Sequence, residues 1–224
     1  MLTLALLTSA ASAQQPTPRT LIFIDPAHGG SDTGAHLPNN LLEKDITLAF
    51  AARLRTSLGA AGFSVISTRD ADPTTPYTTD QRAEIGNHAH PTACIVLHAT
   101  SSGTGIHIVT SALSPLGDFD GQHAATPWNT AQSDFVPQSQ ALSNQIGLAL
   151  EHAKLPVILS RASLRPVDNL TCPAVAIEIA PLGEPDSDQT PVTDAAYQQN
   201  VAKAIATALT AWRSQANAAA GVTK

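Results

Sequence analysis

Four side chains that can bind a metal ion or move a proton lie at the ends of apparent structural elements. His28 follows the apolar run LIFID, Glu43 opens the next helical pattern, His98 closes ACIVL, and Glu178 lies within AVAIEIA. Two imidazoles and one carboxylate, with a fourth position left to water, form a common catalytic zinc set. A second carboxylate nearby can take a proton from water and hand it to a leaving amine. The four residues together supply the parts of a zinc hydrolase.

Each of these residues also has a purely structural interpretation. On this interpretation, Glu43 is an ordinary first-turn acid that complements a helix dipole. His98 is a neutral core histidine bonded to a carbonyl group. His28 is an ordinary loop histidine on this interpretation, although the glycine pair 29–30 indicates a rigid turn that allows close backbone approach. Glu178 is flanked by apolar residues, so its burial would be costly without a partner. Their joint placement favours the functional interpretation.

The elements that must position these residues alternate along the chain. Strand-like runs are separated by helical patterns, and the clearest helix carries an i+4 apolar stripe of Ile46, Phe50, Leu54 and Leu58. This order predicts a single α/β domain with a mostly parallel, mixed and twisted sheet of about six strands and helices on both faces. In such a sheet, functional groups gather beyond the carboxyl ends of the strands.

Two segments are less regular. Residues 161–167 predict a weak strand. Residues 112–136 carry Gly, Pro, Asp and Asn without a period, which predicts a long loop. The tryptophan in this loop, Trp128, favours a substrate-facing or lid role.

Composition excludes several classes of protein. The chain has 224 residues, 43% hydrophobic and 13% charged, which is enough for one substantial core. Its net charge is -6 and it has no Lys/Arg cluster, so no nucleic-acid partner is expected. No apolar run reaches the length of a membrane span, so none is expected.

The first residues predict export. A short apolar stretch and the sequence Ala-Ser-Ala at 11–13 fit a cleaved signal peptide, although a basic n-region is missing. We therefore expect a signal peptide at 1–13, a linker at 14–20, a catalytic domain at 21–216 and a flexible tail at 217–224. The expected location is the periplasm or cell envelope.

The remaining cysteines and histidines receive structural interpretations. Cys94 and Cys172 lie at the starts of different predicted strands, which favours two buried thiols over a disulfide. The other histidines show no ligand-like spacing apart from the 88/90 pair and are predicted to be surface or loop residues: His36, His88, His90, His107, His123 and His152.

Four segments resemble the successive motifs of a known family. They are IDPAHGGSDTGA, LLEKDITLAFAARLRTSLGAAGFSVISTRDAD, QRAEIGNHAHPTACIVLHATSSGTGIHI and CPAVAIEIAPLGEPD. They resemble the zinc-dependent N-acetylmuramoyl-L-alanine amidases, the type-3 amidase family of cell-wall hydrolases, from about residue 21 to the final helix.

The resemblance assigns roles to the four residues. It implies that His28, Glu43 and His98 bind one Zn2+ and that Glu178 is the catalytic acid/base. It implies peptidoglycan as substrate, cleaved between N-acetylmuramic acid and L-alanine, and it leaves an activator protein open as a partner because some relatives are gated by an inserted helix. The same comparison gives Arg69 and Arg82 structural ion-pair roles. It identifies no substrate-binding residues.

The chain departs from the family pattern beside the site, at Ala27, Leu97, Thr100, Ala180 and Pro181. Relatives carry glycine in place of Ala27, so strain is expected first at that position. Such changes alter the surroundings of the metal and the substrate groove. Two other functions therefore stay open: a zinc peptidase or deacylase acting on a soluble peptide or acyl-amino acid, and a non-catalytic murein-binding or regulatory domain.

Overall fold

The computed structural model describes residues 20–116, 126–183 and 188–222, with side chains as far as residue 215. The predicted signal peptide, the linker up to residue 19 and the last two residues of the predicted tail lie outside the described residues. The described residues form eight strands: β1 (Leu21–Pro26), β2 (His36–Leu37), β3 (Leu41–Leu42), β4 (Ser64–Ser67), β5 (Ala93–Ala99), β6 (Ile106–Ser111), β7 (Val157–Ala162) and β8 (Ala174–Ile179).

The main sheet contains six of these strands in the order β4-β1-β5-β8-β6-β7, and β2 and β3 form a separate hairpin. All neighbouring pairs in the main sheet are parallel except β6 and β8, which are antiparallel. The predicted mixed, mostly parallel sheet of about six strands is therefore confirmed.

Helices cover both faces of the sheet, as predicted. They are α1 (Glu43–Ala60), α2 (Thr79–Ala89), α3 (Val136–His152) and α4 (Ala195–Val222). Helices α1, α3 and α4 share the larger core cluster with one face, while α2 and a short 3-10 helix (Val167–Asn169) share a smaller cluster with the other. Helix α2 begins with a capping box in which Thr78 and Gln81 satisfy each other's backbone N–H groups.

Strand alternation decides which face carries the functional side chains. In β5, Ile95 and Leu97 belong to the larger cluster, whereas Cys94 and Val96 belong to the smaller one. Because successive side chains of a strand point to opposite faces, His98 lies on the smaller-cluster side, at the carboxyl end of β5.

Three sequence-based boundaries differ from the structure. The weak strand predicted at 161–167 is β7, which lies earlier, because the chain already turns after Ala162. The loop predicted at 112–136 contains a 3-10 helix (Trp128–Asp134), and its residues 117–125 lie outside the described residues. Helix α4 continues to Val222, into the segment for which the sequence predicts a flexible tail.

The prediction of two free thiols is wrong, because Cys94 and Cys172 form a disulfide. Cys94 lies in β5, Cys172 shortly precedes the neighbouring strand β8, and their Cα atoms are 6.1 Å apart, within the usual range for a bridge. The covalent link joins the start of β5 to the residues that lead into β8.

Trp128 is 44% exposed, and its indole N–H donates to Asp80 of α2 at 3.4 Å. The lid or substrate-facing role of this loop stays a prediction.

Among the described residues, no helix combines the length and the apolar character needed to cross a membrane.

Candidate metal centre

The turn after β1 holds His28 in an unusual backbone conformation. His28 has φ of 66°, in the left-handed region that non-glycine residues rarely adopt. The strain expected at Ala27 is not found there, since Ala27 is not among the residues with positive φ; its N–H continues the sheet by donating to Leu97 O at 3.0 Å. The residue under backbone strain is the candidate ligand itself.

Two buried arginines hold the carbonyl groups of this turn. Arg82 donates to His28 O at 2.7 Å and forms a buried ion pair with Asp25 at 2.7 Å. Arg69 donates to the carbonyl oxygens of Pro26 and Ala27, each at 3.0 Å. The predicted structural ion pair is present for Arg82, whereas Arg69 binds mainly backbone carbonyl groups.

Asp72 and Lys44 hold the same turn through Gly30. The Asp72 carboxylate accepts from Gly30 N at 2.7 Å and from Lys44 Nζ at 2.7 Å, and Lys44 also donates to Gly30 O at 2.9 Å. These contacts hold the pKa of Asp72 below its usual value. They tie the His28 turn to the first turn of α1, which carries Glu43.

Glu43 lies between the two histidines and is only 5% exposed. Its Oε1 is 2.8 Å from His98 Nδ1, and its Oε2 is 3.1 Å from His28 Nε2. The N–H groups of Ala35 and Ala99 also donate to it, at 2.9 and 3.2 Å. A carboxylate buried with this many partners is not the ordinary first-turn acid of the structural interpretation.

The surroundings of Glu43 keep its carboxylate ionised. Burial acts to raise the pKa of Glu43, but the hydrogen bonds from His28, His98 and the Ala35 N–H outweigh it and hold the pKa well below its usual value. Burial acts to lower the pKa of His28, but Glu43 and then Asp32 outweigh it and raise that pKa. Glu43 is therefore held as an ionised carboxylate, the form that can bind a metal ion.

The donor atoms of His28, Glu43 and His98 all lie within 4.8 Å of one another. Within the described part of the chain, this is the one group of three such side chains close enough to share an ion. The structure thus brings together the three predicted ligands, and two imidazoles with one carboxylate match the donor set of a catalytic zinc site.

Glu178 lies one strand away from this group. Its Cα is the register partner of His98 in β5 and of His107 in β6, so the three side chains form a row on one face of the sheet. The Glu178 side chain is 38% exposed, and its Oε2 is 3.1 Å from His107 Nδ1. The predicted acid/base therefore lies beside the candidate metal ligands and open to solvent.

The surface or loop assignment of His107 is wrong. Its neighbours Ile106 and Ile108 point into the larger core cluster, so its ring faces the Glu178 side of β6. Strand alternation in GIHIVTS predicts that His107 faces away from the isoleucines on either side of it. It does not predict which strand lies beside β6. The predicted exposure is confirmed for His36, His88, His90 and His152, and His123 lies outside the described residues.

One departure from the family pattern is structurally remote. Leu97 is fully buried in the larger cluster, on the opposite face of β5 from His98. Its side chain therefore fills core volume and does not face the histidine ring.

The fold and the site together define an α/β protein with a two-histidine, one-carboxylate centre at the carboxyl edge of its sheet. A family model described as N-acetylmuramoyl-L-alanine amidase matches residues 22–211, and the chain belongs to this family.

Individual relatives match over shorter stretches. The chain is 31% identical over 99 residues to the amidase AmiC of Neisseria meningitidis, an alignment of 42% of this chain and 23% of that protein. It is 37% identical over 95 residues to the germination-specific amidase of Bacillus subtilis, covering 37% of this chain and 40% of that protein. The chain thus spans less than half the length of these curated relatives.

Solved structures share the fold over nearly the whole domain. The amidase AmiC2 of Nostoc punctiforme superposes with a TM-score of 0.65 at 22% identity, over 89% of this chain and 99% of that one. The CwlD amidase of Clostridioides difficile, in complex with the GerS lipoprotein, gives 0.63 at 22% identity, over 88% and 99%.

Proposed function

We propose that this protein is a zinc-dependent peptidoglycan hydrolase that cleaves the amide bond between N-acetylmuramic acid and L-alanine. The observation that carries the proposal is the buried Glu43 carboxylate between His28 and His98, with Glu178 one strand away. Family membership narrows the reaction to hydrolysis of this amide.

His28, Glu43 and His98 would hold the ion. When bound, zinc would supply a Lewis acid that polarises the amide carbonyl and lowers the pKa of water. The buried Glu43 provides the negative charge of the site, and Asp32 holds His28 from the far side of its ring through Nδ1 at 2.9 Å.

Glu178 would move the proton. As the water oxygen bonds to the carbonyl carbon, the Glu178 carboxylate takes the proton that water loses. As the carbon–nitrogen bond breaks, the same group returns that proton to the departing L-alanine amine. Its partial exposure beside His98 gives it access to both water and substrate.

Export to the periplasm or cell envelope is part of the proposal. The Cys94–Cys172 disulfide supports it, because such bonds persist in oxidising compartments. The signal-like residues 1–13 support it independently. An activator protein is a further proposed partner; the CwlD amidase, which shares the fold, forms a complex with the GerS lipoprotein.

Digestion of purified sacculi tests the function. Wild type with one equivalent of zinc should release peptides with a free L-alanine amino terminus, identified by mass spectrometry. Glu178→Gln should lose activity by about 10²-fold or more while metal analysis still finds one zinc per chain. Cleavage only within peptides would indicate a peptidase, and sacculus binding without cleavage would indicate a non-catalytic murein-binding domain; either result would refute the amidase assignment.

A further inference from the structure

His107 and Glu178 form a side-chain pair at the edge of the candidate site. Nδ1 of His107 is 3.1 Å from Oε2 of Glu178, and the two residues are register partners on antiparallel strands. Both side chains are partly exposed, at 23% and 38%. The pair is therefore built into the sheet and is accessible from the site.

The chemistry of the two groups sets the direction of this hydrogen bond. An ionised carboxylate only accepts, so Nδ1 of His107 must carry the proton and donate it. Such a bond holds one oxygen of the carboxylate. No described residue binds the other oxygen, Oε1, which is left for water or substrate.

The ring of His107 is held on its other side as well. The loop between β5 and β6 carries Gly103 with φ of 76°, and a Cβ at this glycine would lie 3.1 Å from Cε1 of the His107 ring. The loop backbone thus packs against the imidazole. The ring therefore lies between the Gly103 backbone and the Glu178 carboxylate.

We propose that His107 is a positioning residue for the acid/base Glu178. It keeps its own Nδ1 proton throughout and holds Oε2, so that Oε1 faces the reacting atoms, takes the proton from water and returns it to the amine. This inference rests on the proposed amidase function for its kinetic consequence, whereas the hydrogen bond itself can be tested without catalysis.

Two substitutions separate the effect of the hydrogen-bond donor at His107 from the effect of its ring shape. His107→Phe keeps a ring of similar size but removes the donor, and His107→Asn offers an amide N–H near the position of Nδ1. On sacculi, His107→Phe should lower kcat by about 10-fold or more with KM and zinc content unchanged, and His107→Asn should restore most of that loss. His88→Phe, at an exposed histidine of α2, is the matched control and should match wild type.

Nitrogen-15 spectra of histidine-labelled protein test the bond directly. His107, assigned by the signal missing in His107→Asn, should be the Nδ1–H tautomer in wild type and should shift toward Nε2–H in Glu178→Ala. A wild-type kcat for His107→Phe would overturn the positioning role. So would a kcat for His107→Asn as low as that of His107→Phe. If His107→Phe fails to fold, an unchanged tautomer in Glu178→Ala overturns it instead.

These outcomes are distinguishable from failure of the amidase proposal. If wild type releases no peptides with an L-alanine terminus, the proposed reaction is wrong, and the tautomer spectra still decide whether His107 donates to Glu178. If wild type is active and only the His107 variants behave contrary to expectation, the positioning role alone is wrong.

Discussion

Asp32 binds His28 through the ring nitrogen that faces away from Glu43. The two Asp32 oxygens lie 2.9 and 3.0 Å from Nδ1, while Nε2 of the same ring is 3.1 Å from Glu43. Carboxylates in this relation fix the tautomer and orientation of a metal-binding histidine and increase its basicity. Burial acts to raise the pKa of Asp32, but the hydrogen bonds with the His28 ring and the Gly34 N–H outweigh it and lower that pKa.

Removing this carboxylate should weaken metal binding without removing a ligand. Asp32→Ala is expected to reduce zinc affinity by about 10- to 100-fold, measured by competition with a chelator. Glu84→Ala, at an exposed acid of α2, is the control and should bind zinc like wild type. Equal affinities for all three proteins would show that Asp32 does not support the site.

Because Gly34 has no side chain, the candidate ligands His28 and Glu43 can pack directly against it. A Cβ at this position would lie 2.5 Å from His28 Cδ2 and 2.7 Å from Glu43 Oε2, and its φ of 64° disfavours any other residue. Gly34→Ala should therefore displace both ligands, with about 10-fold or greater loss of zinc affinity and about 1–2 kcal/mol of stability.

Gly59 provides the matched control for that substitution. It lies in α1, and a Cβ there would meet nothing within 4 Å. Gly59→Ala should leave zinc affinity unchanged and should be neutral or stabilising by about 0.5–1 kcal/mol, because alanine suits a helix better than glycine. A Gly34→Ala protein that binds zinc normally would contradict the steric argument.

The disulfide should contribute substantially to stability. It closes a sequence separation of 78 residues, and such a link restricts the unfolded chain. Replacing Cys94 and Cys172 together by alanine should lower the free energy of unfolding by about 2–5 kcal/mol in urea titrations. Reductant should destabilise wild type and leave the double variant unchanged; an equal response of both proteins would rule out the bond as the cause.

Asp72 should contribute stability that depends on pH. Hydrogen bonds from Lys44 and Gly30 hold its pKa in the folded protein below the unfolded value. The contribution is therefore fully present above the usual Asp pKa of about 3.9 and is lost as the pH falls toward the lower folded value. Asp72→Asn should lower Tm by up to about 3 °C at pH 7, measured without metal.

The difference in Tm between wild type and Asp72→Asn should shrink as the pH falls below about 4. Glu84→Gln, at an exposed carboxylate, should show little difference at either pH. A constant difference between wild type and Asp72→Asn from pH 7 to pH 3 would show that the charge of Asp72 is not what stabilises the turn.

Local patterns in the sequence were sufficient to place the predicted ligands. The apolar run before His28, the helix that Glu43 opens and the buried strand that ends at His98 are each visible within about twenty residues. Periodicity and turn residues are local properties, so they predict where an element begins and ends and which side chain closes it. The carboxyl ends of parallel strands meet at one edge, which predicts His28 and His98 at the same edge of the sheet; their closeness also requires β1 and β5 to be neighbours.

Strand order and backbone conformation were decided only by the tertiary structure. That β8 lies between β5 and β6, with β6 running antiparallel, places His107 against Glu178 and brings Cys94 next to Cys172. The turn in which His28 has a positive φ is anchored by two residues distant in sequence: Asp72 accepts from Gly30 N, and Arg82 donates to His28 O. These features arise from contacts between residues far apart in sequence, and no local period records which strands will become neighbours.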